Sequence, residues 1–486
     1  MLVLPCHANL FVEDSAIAQF LLNCQRSCRN RDCTQIVSLS LEIESTDPLI
    51  LLQLTKPDEL SFYFENRGKG EAIAAIGAVA KFQLSNSIDR FNQAQQFINS
   101  CLANTTALNI VDGLFTGPHF FCSFSFFGEH SQVNYPFPGT TIFLPQWQIA
   151  TRQDRCIFVA NLVIDSQSNV ETSLQKLREK INEVTSFYKG RFQENIVLKC
   201  ATNYNLNQVD SYQRGFVDQS GMELGDFKRA VLSSLKLINS KKLNKIVIAQ
   251  AIDVESIMPF RLLQSLNNLR ILHSNCHIFS ISNGKGQNFI GASPERLISI
   301  HKQELMVDAL AGSASRGKTA VEDANLANYL LNSAKERREH QVVIDFITQH
   351  LEKLSLVPHL SPPQLRQLSN IQHLWTPIRA KVPINVQPLE IVAELHPTPA
   401  VAGDSREIAC AEIRRYESFE RGLYAAPLGW IDYRNNSEFI VGIRSALIDG
   451  DRARLYAGAG IVAGSDPDKE LTEIQLKFQA ILKALV

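Results

Sequence analysis

Along the first half of the chain, apolar and polar residues alternate in short runs bounded by turn residues, the period-2 pattern of half-buried strands. Ile36–Leu41, Thr141–Phe143 and Cys156–Ile164 are strand-like runs of this kind. A different period marks Ser173–Tyr188, where Leu174, Leu177, Ile181, Val184 and Tyr188 fall at helical spacing. From about residue 226 the texture changes, and short glycine-bearing motifs alternate with strands and two well-marked helices. A strand at Lys245–Ala249 is followed much later by Phe289–Gly291 and a turn over Ala292-Ser293-Pro294-Glu295. Asn332–Leu354 contains no Gly or Pro and repeats Val343, Phe346, Ile347 and Leu351, which predicts a helix. Pro467 and Asp468 open a last helix, Asp468–Leu485, with Leu471, Ile474, Phe478, Ile481 and Leu485 as its apolar stripe. The Pro-rich interval Pro358–Pro388 reads as a loop with short helical pieces. No internal repeat or low-complexity tract is visible.

These elements belong to a chain of 486 residues, enough for two ordinary domains or one unusually large one. Hydrophobic residues at 45% supply a large core, and a formal net charge of −1 leaves no global field to recruit nucleic acid or an anionic membrane. A small anionic substrate must then be held by local charges, in a pocket. No window of about 18 apolar residues occurs, so no membrane span is expected. The start, Met-Leu-Val-Leu-Pro, lacks the basic n-region of a secretory signal. Ten scattered cysteines read as reduced, mostly buried thiols, and the expected location is cytoplasmic. Cys24, Cys28 and Cys33 match no standard zinc spacing, and no nearby His completes them.

Two acidic pairs fall on the two helices. Glu336 and Glu339 lie three apart on the first, Glu470 and Glu473 three apart on the last, and side chains at i and i+3 share a face. Four carboxylates from two helices suit a hard cation that keeps several waters, Mg²⁺ better than Zn²⁺. Each pair alone reads more simply as solvated glutamates neutralised by Lys335, Arg337, Arg338 and Lys469. Lys245 opens an apolar strand. Desolvation at a sheet end can lower a lysine's proton affinity and make it a general base, while the plainer reading is an edge lysine snorkelling to solvent. Glu295 is either a partly buried carboxylic acid or a turn residue paired with Arg296. The segments Ala311-Gly312-Ser313 and Ala457-Gly458-Ala459-Gly460 let backbone N–H groups approach an anion, or are plain turns. Arg444, if buried, demands an anionic partner, and its planar fork suits a carboxylate. Exposed, it is an ordinary strand-end arginine.

The order and wording of these segments carry more than any one of them. Ile290-Gly291-Ala292-Ser293-Pro294-Glu295-Arg296, Ala311-Gly312-Ser313-Ala314-Ser315-Arg316-Gly317, Glu339-His340, Leu395-His396-Pro397-Thr398-Pro399-Ala400, Arg421-Gly422-Leu423-Tyr424, Leu428-Gly429-Trp430, Ile443-Arg444 and Ala457-Gly458-Ala459-Gly460-Ile461-Val462 occur in sequence. The series resembles the chorismate-utilising enzymes, the anthranilate synthase component I-like family of isochorismate, salicylate, anthranilate and aminodeoxychorismate synthases. It covers about residues 226–486. The resemblance implies an α/β (α+β) fold: one large domain of two packed, mainly antiparallel sheets, helices outside, the active site between them. Residues 1–225 would add strands and helices to that fold, and 226–486 would form the chorismate-binding catalytic region. By position, Glu339 and Glu473 would bind Mg²⁺ directly, with Glu336 and Glu470 assisting through water. Arg444 and Tyr424 match residues that grip the enolpyruvyl carboxylate. Lys477 and the backbone around Gly460 match groups near the bound carboxylates, and His396 lies close to the ring. Gly312, Ser313 and Ala400 belong to the same substrate-binding set, whereas His340 is neighbouring structure.

The nucleophile separates the members. Water needs a general base and ammonia does not, and ammonia users usually carry a non-basic residue where this chain has Lys245. Pro399-Ala400 stands where those members, and salicylate synthases in part, keep a threonine. The expected reaction is therefore the Mg²⁺-dependent, reversible isomerisation of chorismate to isochorismate, with Lys245 activating water for attack at C2 and Glu295 protonating the departing C4 hydroxyl. The quinone branch is the expected use. Salicylate synthase is the runner-up, and a non-catalytic chorismate-binding paralogue is the reading from another class. No amidotransferase subunit is needed, and a monomer is the default. Two departures stand out. Glu336 occupies a position where relatives often have Asp, and Ala425-Ala426 one where glycines are common.

Overall fold

Two β-sheets take up every strand among the described residues, and both draw on the two halves of the chain. The computed structural model describes residues 2–5, 10–129, 135–194, 217–218, 224–367 and 371–485. The larger sheet has thirteen strands, in the order Leu2–Pro5, Thr105–Asn109, Gln35–Ile43, Arg155–Ile164, Trp147–Arg152, Glu71–Ile76, Leu60–Asn66, His277–Asn283, Gln287–Ser293, Ser445–Asp449, Arg452–Val462, Lys245–Glu255 and Val217–Asp218. Thr105–Asn109 pairs in parallel with both its neighbours, and the remaining pairs are antiparallel. The smaller sheet has ten strands and centres on Ile371–Lys381, Glu304–Ser315, Arg296–His301, Ser437–Val441, Pro427–Asp432 and His119–Phe124. The halves meet where Leu60–Asn66 pairs with His277–Asn283 in one sheet and His119–Phe124 with Pro427–Asp432 in the other. The expected layered α+β architecture is the one observed.

The predicted strands appear as Gln35–Ile43, Thr140–Leu144 and Arg155–Ile164, each one to three residues longer than its apolar run. The helix predicted over Ser173–Tyr188 extends over Val170–Glu194, with Leu174, Leu177 and Val184 buried. The side chain of Tyr188 lies outside the described residues, as do Cys6 and Cys200. The other eight cysteines are free thiols, and five of them are buried.

The helix expected over Asn332–Leu354 is found over Ala334–Lys353, preceded by a separate helix, Ala320–Asn332. Ser333 breaks the run because its hydroxyl accepts from the Glu336 N–H, the N-cap role that serine plays better than any apolar residue. Pro358–Pro388 needs correction: it is not a helical loop. It holds the eleven-residue strand Ile371–Lys381, with two short strands, His359–Leu360 and Gln364–Gln367, along its outer edge. Gln372, Leu374, Thr376, Ile378 and Ala380 are all buried, a period of two interrupted only by the buried Pro377. Most prolines of the interval flank this strand, and Pro377 is tolerated inside it near the sheet's edge. No helix among the described residues is long and apolar enough to cross a membrane.

Candidate active site

Two of the chain's crossings between the sheets each deliver a site residue. After Gln287–Ser293 in the larger sheet, Pro294 and Glu295 lead into Arg296–His301 of the smaller one. The Ser293 hydroxyl donates to Val441 O at 2.6 Å, and Val441 N–H donates to Glu295 O at 3.1 Å, which ties down the turn. In the reverse direction Ser437–Val441 leads through Arg444 into Ser445–Asp449. Arg444 adopts a left-handed φ of 51°, and its carbonyl accepts from Ala292 N–H at 3.1 Å. That conformation costs a non-glycine residue about 1 kcal/mol and is held here by the surrounding pairing.

Between the sheets lies a cavity of about 260 Å³, lined by Lys245, Glu295, Gly312, Ser313, Glu336, Glu339, Ala400, Tyr424, Arg444, Gly460, Glu470, Glu473 and Lys477. Strand alternation explains one wall. Lys245 and Val247 point inward together, opposite Val462 and Gly460 on the paired strand. A Cβ on Gly460 would lie 3.2 Å from Lys245 Cε, so glycine leaves the lysine its space. A β-bulge shapes another wall. Pairing between Glu304–Ser315 and Ile371–Lys381 shifts register between Ala311 and Ser313, where Gly312 has φ +75°, and this turns Gly312 and Ser313 into the cavity. The helices Ala334–Lys353 and Pro467–Leu485 present Glu336 with Glu339 and Glu470 with Glu473 to the cavity, while Leu471, Ile474, Phe478 and Ile481 are buried along the adjoining face of the second helix.

Charges in the cavity are arranged in pairs. Lys245 Nζ donates to Glu339 Oε1 at 2.7 Å, and Lys477 Nζ lies 2.7 Å from both Glu473 Oε1 and Gly458 O. Burial works to raise the Glu339 carboxyl, but the Lys245 ammonium overcomes it and holds Glu339 below its ordinary range. Glu336 and Glu470 are pushed upward, by burial first and then by the charge of Glu339 and Glu473 respectively. Glu336 Oε2 accepts from Ser313 N–H at 3.1 Å, a contact its extra methylene relative to Asp permits. Glu295 is buried at 5% exposure, and burial pushes its carboxyl up to about 7 against the opposing pull of Lys245. Arg444 has no carboxylate partner among the described residues; its Nη1 donates to the Cys276 thiol at 3.9 Å.

The four carboxylates are oxygen donors only, which suits a hard cation. No group of three or more described His, Cys, Asp and Glu side chains is gathered closely enough to hold a metal ion by itself. Mg²⁺, which takes one or two carboxylates and keeps its waters, asks for less than such a group.

His396 departs from expectation. It does not line the cavity: its Nε2 faces Phe126 O at 3.2 Å and its ring packs edge-on to Phe126. Ala400, four residues on, lines the cavity instead. His340 packs as expected, buried with Nε2 2.8 Å from Thr376 Oγ1. His373 is the residue the sequence reading missed. It lines the cavity with Nδ1 2.8 Å from Ser313 Oγ, and burial, with Arg444 and Lys477 nearby, pushes it down to about 3, so it is neutral. It lies on the strand mistaken for a loop, and the alternation at Gln372, Leu374 and Thr376 was its available signal. Ala425, where glycine is common in relatives, takes φ +59°, the left-handed conformation a glycine suits.

Comparison with known proteins is consistent with this geometry. The isochorismate synthase MenF of Bacillus subtilis is 29% identical over 465 residues, 93% of each chain. The salicylate biosynthesis isochorismate synthase of Pseudomonas aeruginosa is 41% identical over 271 residues, 55% of this chain, and the aligned part spans only 56% of that relative. Among solved structures, the menaquinone-specific isochorismate synthase MenF of Escherichia coli superposes with a TM-score of 0.74 at 24% identity, covering 97% of this chain and 99% of its own, a likeness of fold. The model of the chorismate binding enzyme family matches residues 19–486, nearly the whole length, and the chain belongs to that family.

Proposed function

We propose that this protein interconverts chorismate and isochorismate with the aid of Mg²⁺, adding water at C2 and expelling the C4 hydroxyl. The observation that carries the reading is the pairing of Lys245 with Glu295 across one cavity, a base candidate from one sheet and a carboxyl held up to about 7 at the crossing to the other. Lys245, neutral when competent, takes a proton from water as its oxygen bonds to C2. The two ring double bonds shift, the C4–O bond breaks, and Glu295 gives its proton to the leaving hydroxyl, which departs as water. Arg444, which has no carboxylate partner among the described residues, and Lys477 hold substrate carboxylates, and Tyr424 packs beside them. Glu339 and Glu473 would hold the Mg²⁺, assisted by Glu336 and Glu470; when bound, the ion fixes and neutralises the ring carboxylate. A relative that aligns over 93% of both chains is named an isochorismate synthase MenF, which supports a place in quinone biosynthesis.

One assay tests the reading. The protein is incubated with chorismate and Mg²⁺ and the products are separated by chromatography. Isochorismate alone is the expected outcome. Salicylate with pyruvate would reassign it as a salicylate synthase, and no conversion would make it a non-catalytic binder.

A further inference from the structure

Beneath the Glu295 turn lies a buried charge triad that the chemistry above does not use. Asp308 sits within Glu304–Ser315, two residues before Leu310 of the cavity wall, and its side chain is 1% exposed. Its Oδ1 accepts from Arg296 Nη2 at 2.7 Å and Trp375 Nε1 at 2.9 Å, and its Oδ2 from Arg366 Nη1 at 3.3 Å. Arg366 in turn lies over the Trp375 ring at 5.8 Å, which fixes its position. One buried carboxylate thus faces two guanidinium groups, and one of these belongs to the residue directly after Glu295.

We propose that Asp308 is a positioning residue for the acid: it touches no reacting atom, and by neutralising Arg296 and Arg366 it lets Glu295 keep its proton. This rests on the reading of Glu295 as proton donor. The groups that act on Glu295 are Lys245 from the larger sheet, Asp308 from the smaller, Arg366 from the short strand Gln364–Gln367, and Thr398 from the loop after helix Pro388–Leu395. Lys245 and Arg366 are cations that favour the carboxylate form, and Asp308 is the anion that opposes them. Without it, the Arg366 charge would act on Glu295 uncompensated, and Arg296, next in the chain, would lose the carboxylate that holds it. Burial alone would then compete against these cations.

The test reads the proton directly. Protein labelled with carboxyl-¹³C glutamate is titrated by NMR without substrate, and the Glu295 resonance is assigned by its loss in Glu295→Gln. Asp308→Asn should lower the midpoint by about one pH unit, and Arg366→Gln should raise it by a similar amount. Opposite shifts are the signature, because loss of a merely structural tie has no reason to change sign with the charge removed. Midpoints that stay put or move together would overturn the proposal. Should Asp308→Asn not fold, Arg366→Gln decides alone: a rise supports the proposal and anything else overturns it. A wild-type midpoint in the ordinary carboxyl range would end both this proposal and the acid role. Shifts of the expected sign in a protein whose Glu295→Gln form still turns over normally would end the acid role alone.

Discussion

Lys245 and Glu339, 94 residues apart, form an ion pair 2.7 Å long with side chains only 5% and 16% exposed. The carboxylate proposed to bind Mg²⁺ directly is therefore already occupied by the ammonium of the proposed base. A cation arriving at Glu339 must compete with Lys245. Lys245→Ala should then leave Glu339 buried and uncompensated, lowering stability without metal by about 3 kcal/mol. Added Mg²⁺ should recover more stability in the variant than in the wild type. Thermal unfolding with and without Mg²⁺ measures both, and equal Mg²⁺ stabilisation of the two proteins would contradict the competition. Turnover should fall by about 100-fold or more while chorismate still binds.

Glu295 makes stability depend on pH in a defined direction. Its carboxyl is raised from an ordinary 4.5 to about 7, by burial above all, so the folded chain binds this proton more tightly than the unfolded chain. The group's contribution is intact below about pH 4.5 and is lost as pH rises to about 7, a loss of up to about 3 kcal/mol. Glu295→Gln, neutral at every pH, escapes that loss. It should unfold at a higher temperature than wild type at about pH 8 and at a similar temperature near pH 4.5. A difference that does not change with pH would show that Glu295 is ionised throughout.

Removal of metal should separate the four carboxylates. Chelation is expected to abolish turnover and excess Mg²⁺ to restore it. Glu339→Gln and Glu473→Gln should each raise the Mg²⁺ concentration needed for half-maximal rate by about tenfold or more. Glu336→Gln and Glu470→Gln should shift it less, because water-mediated contacts are weaker. An activity indifferent to chelation would remove the metal from the account.

Gly460→Ala tests how tightly the base is seated. The added Cβ would stand 3.2 Å from Lys245 Cε and 3.6 Å from Glu339 Oε1, so the lysine must give by a few tenths of an ångström. A displacement of that order at a reacting group should lower kcat about tenfold. Unfolding temperature should change little, since the nearest atoms belong to a flexible side chain. Unchanged kcat would mean that Lys245 does not need its present position.

Much of this protein was legible before any coordinates. The i, i+3, i+4 stripe from Leu471 to Leu485 specifies a helix with its apolar face inward, and the same spacing puts Glu470 and Glu473 together along one edge of that stripe. Local rules sufficed there because helical periodicity involves only near neighbours. They failed at Pro358–Pro388, where proline density hid the alternation from Gln372 to Ala380, and with it His373. A strand is stabilised by its partner, and Glu304–Ser315 lies more than fifty residues away.

By itself the sequence determined the element types, the family's ordered motifs and the acidic pairs on their helix faces, because these depend on spacing and residue chemistry. Only the tertiary structure decided that Lys245 pairs with Glu339, that Glu295 is buried enough to hold a proton near neutrality, that Asp308 sits between two arginines, and that His396 turns away from the cavity while His373 enters it. Those outcomes depend on which distant strands pair and on how much water each charge loses. A charge's strength in a protein is set by its surroundings, and the surroundings are assembled from residues that no local pattern connects.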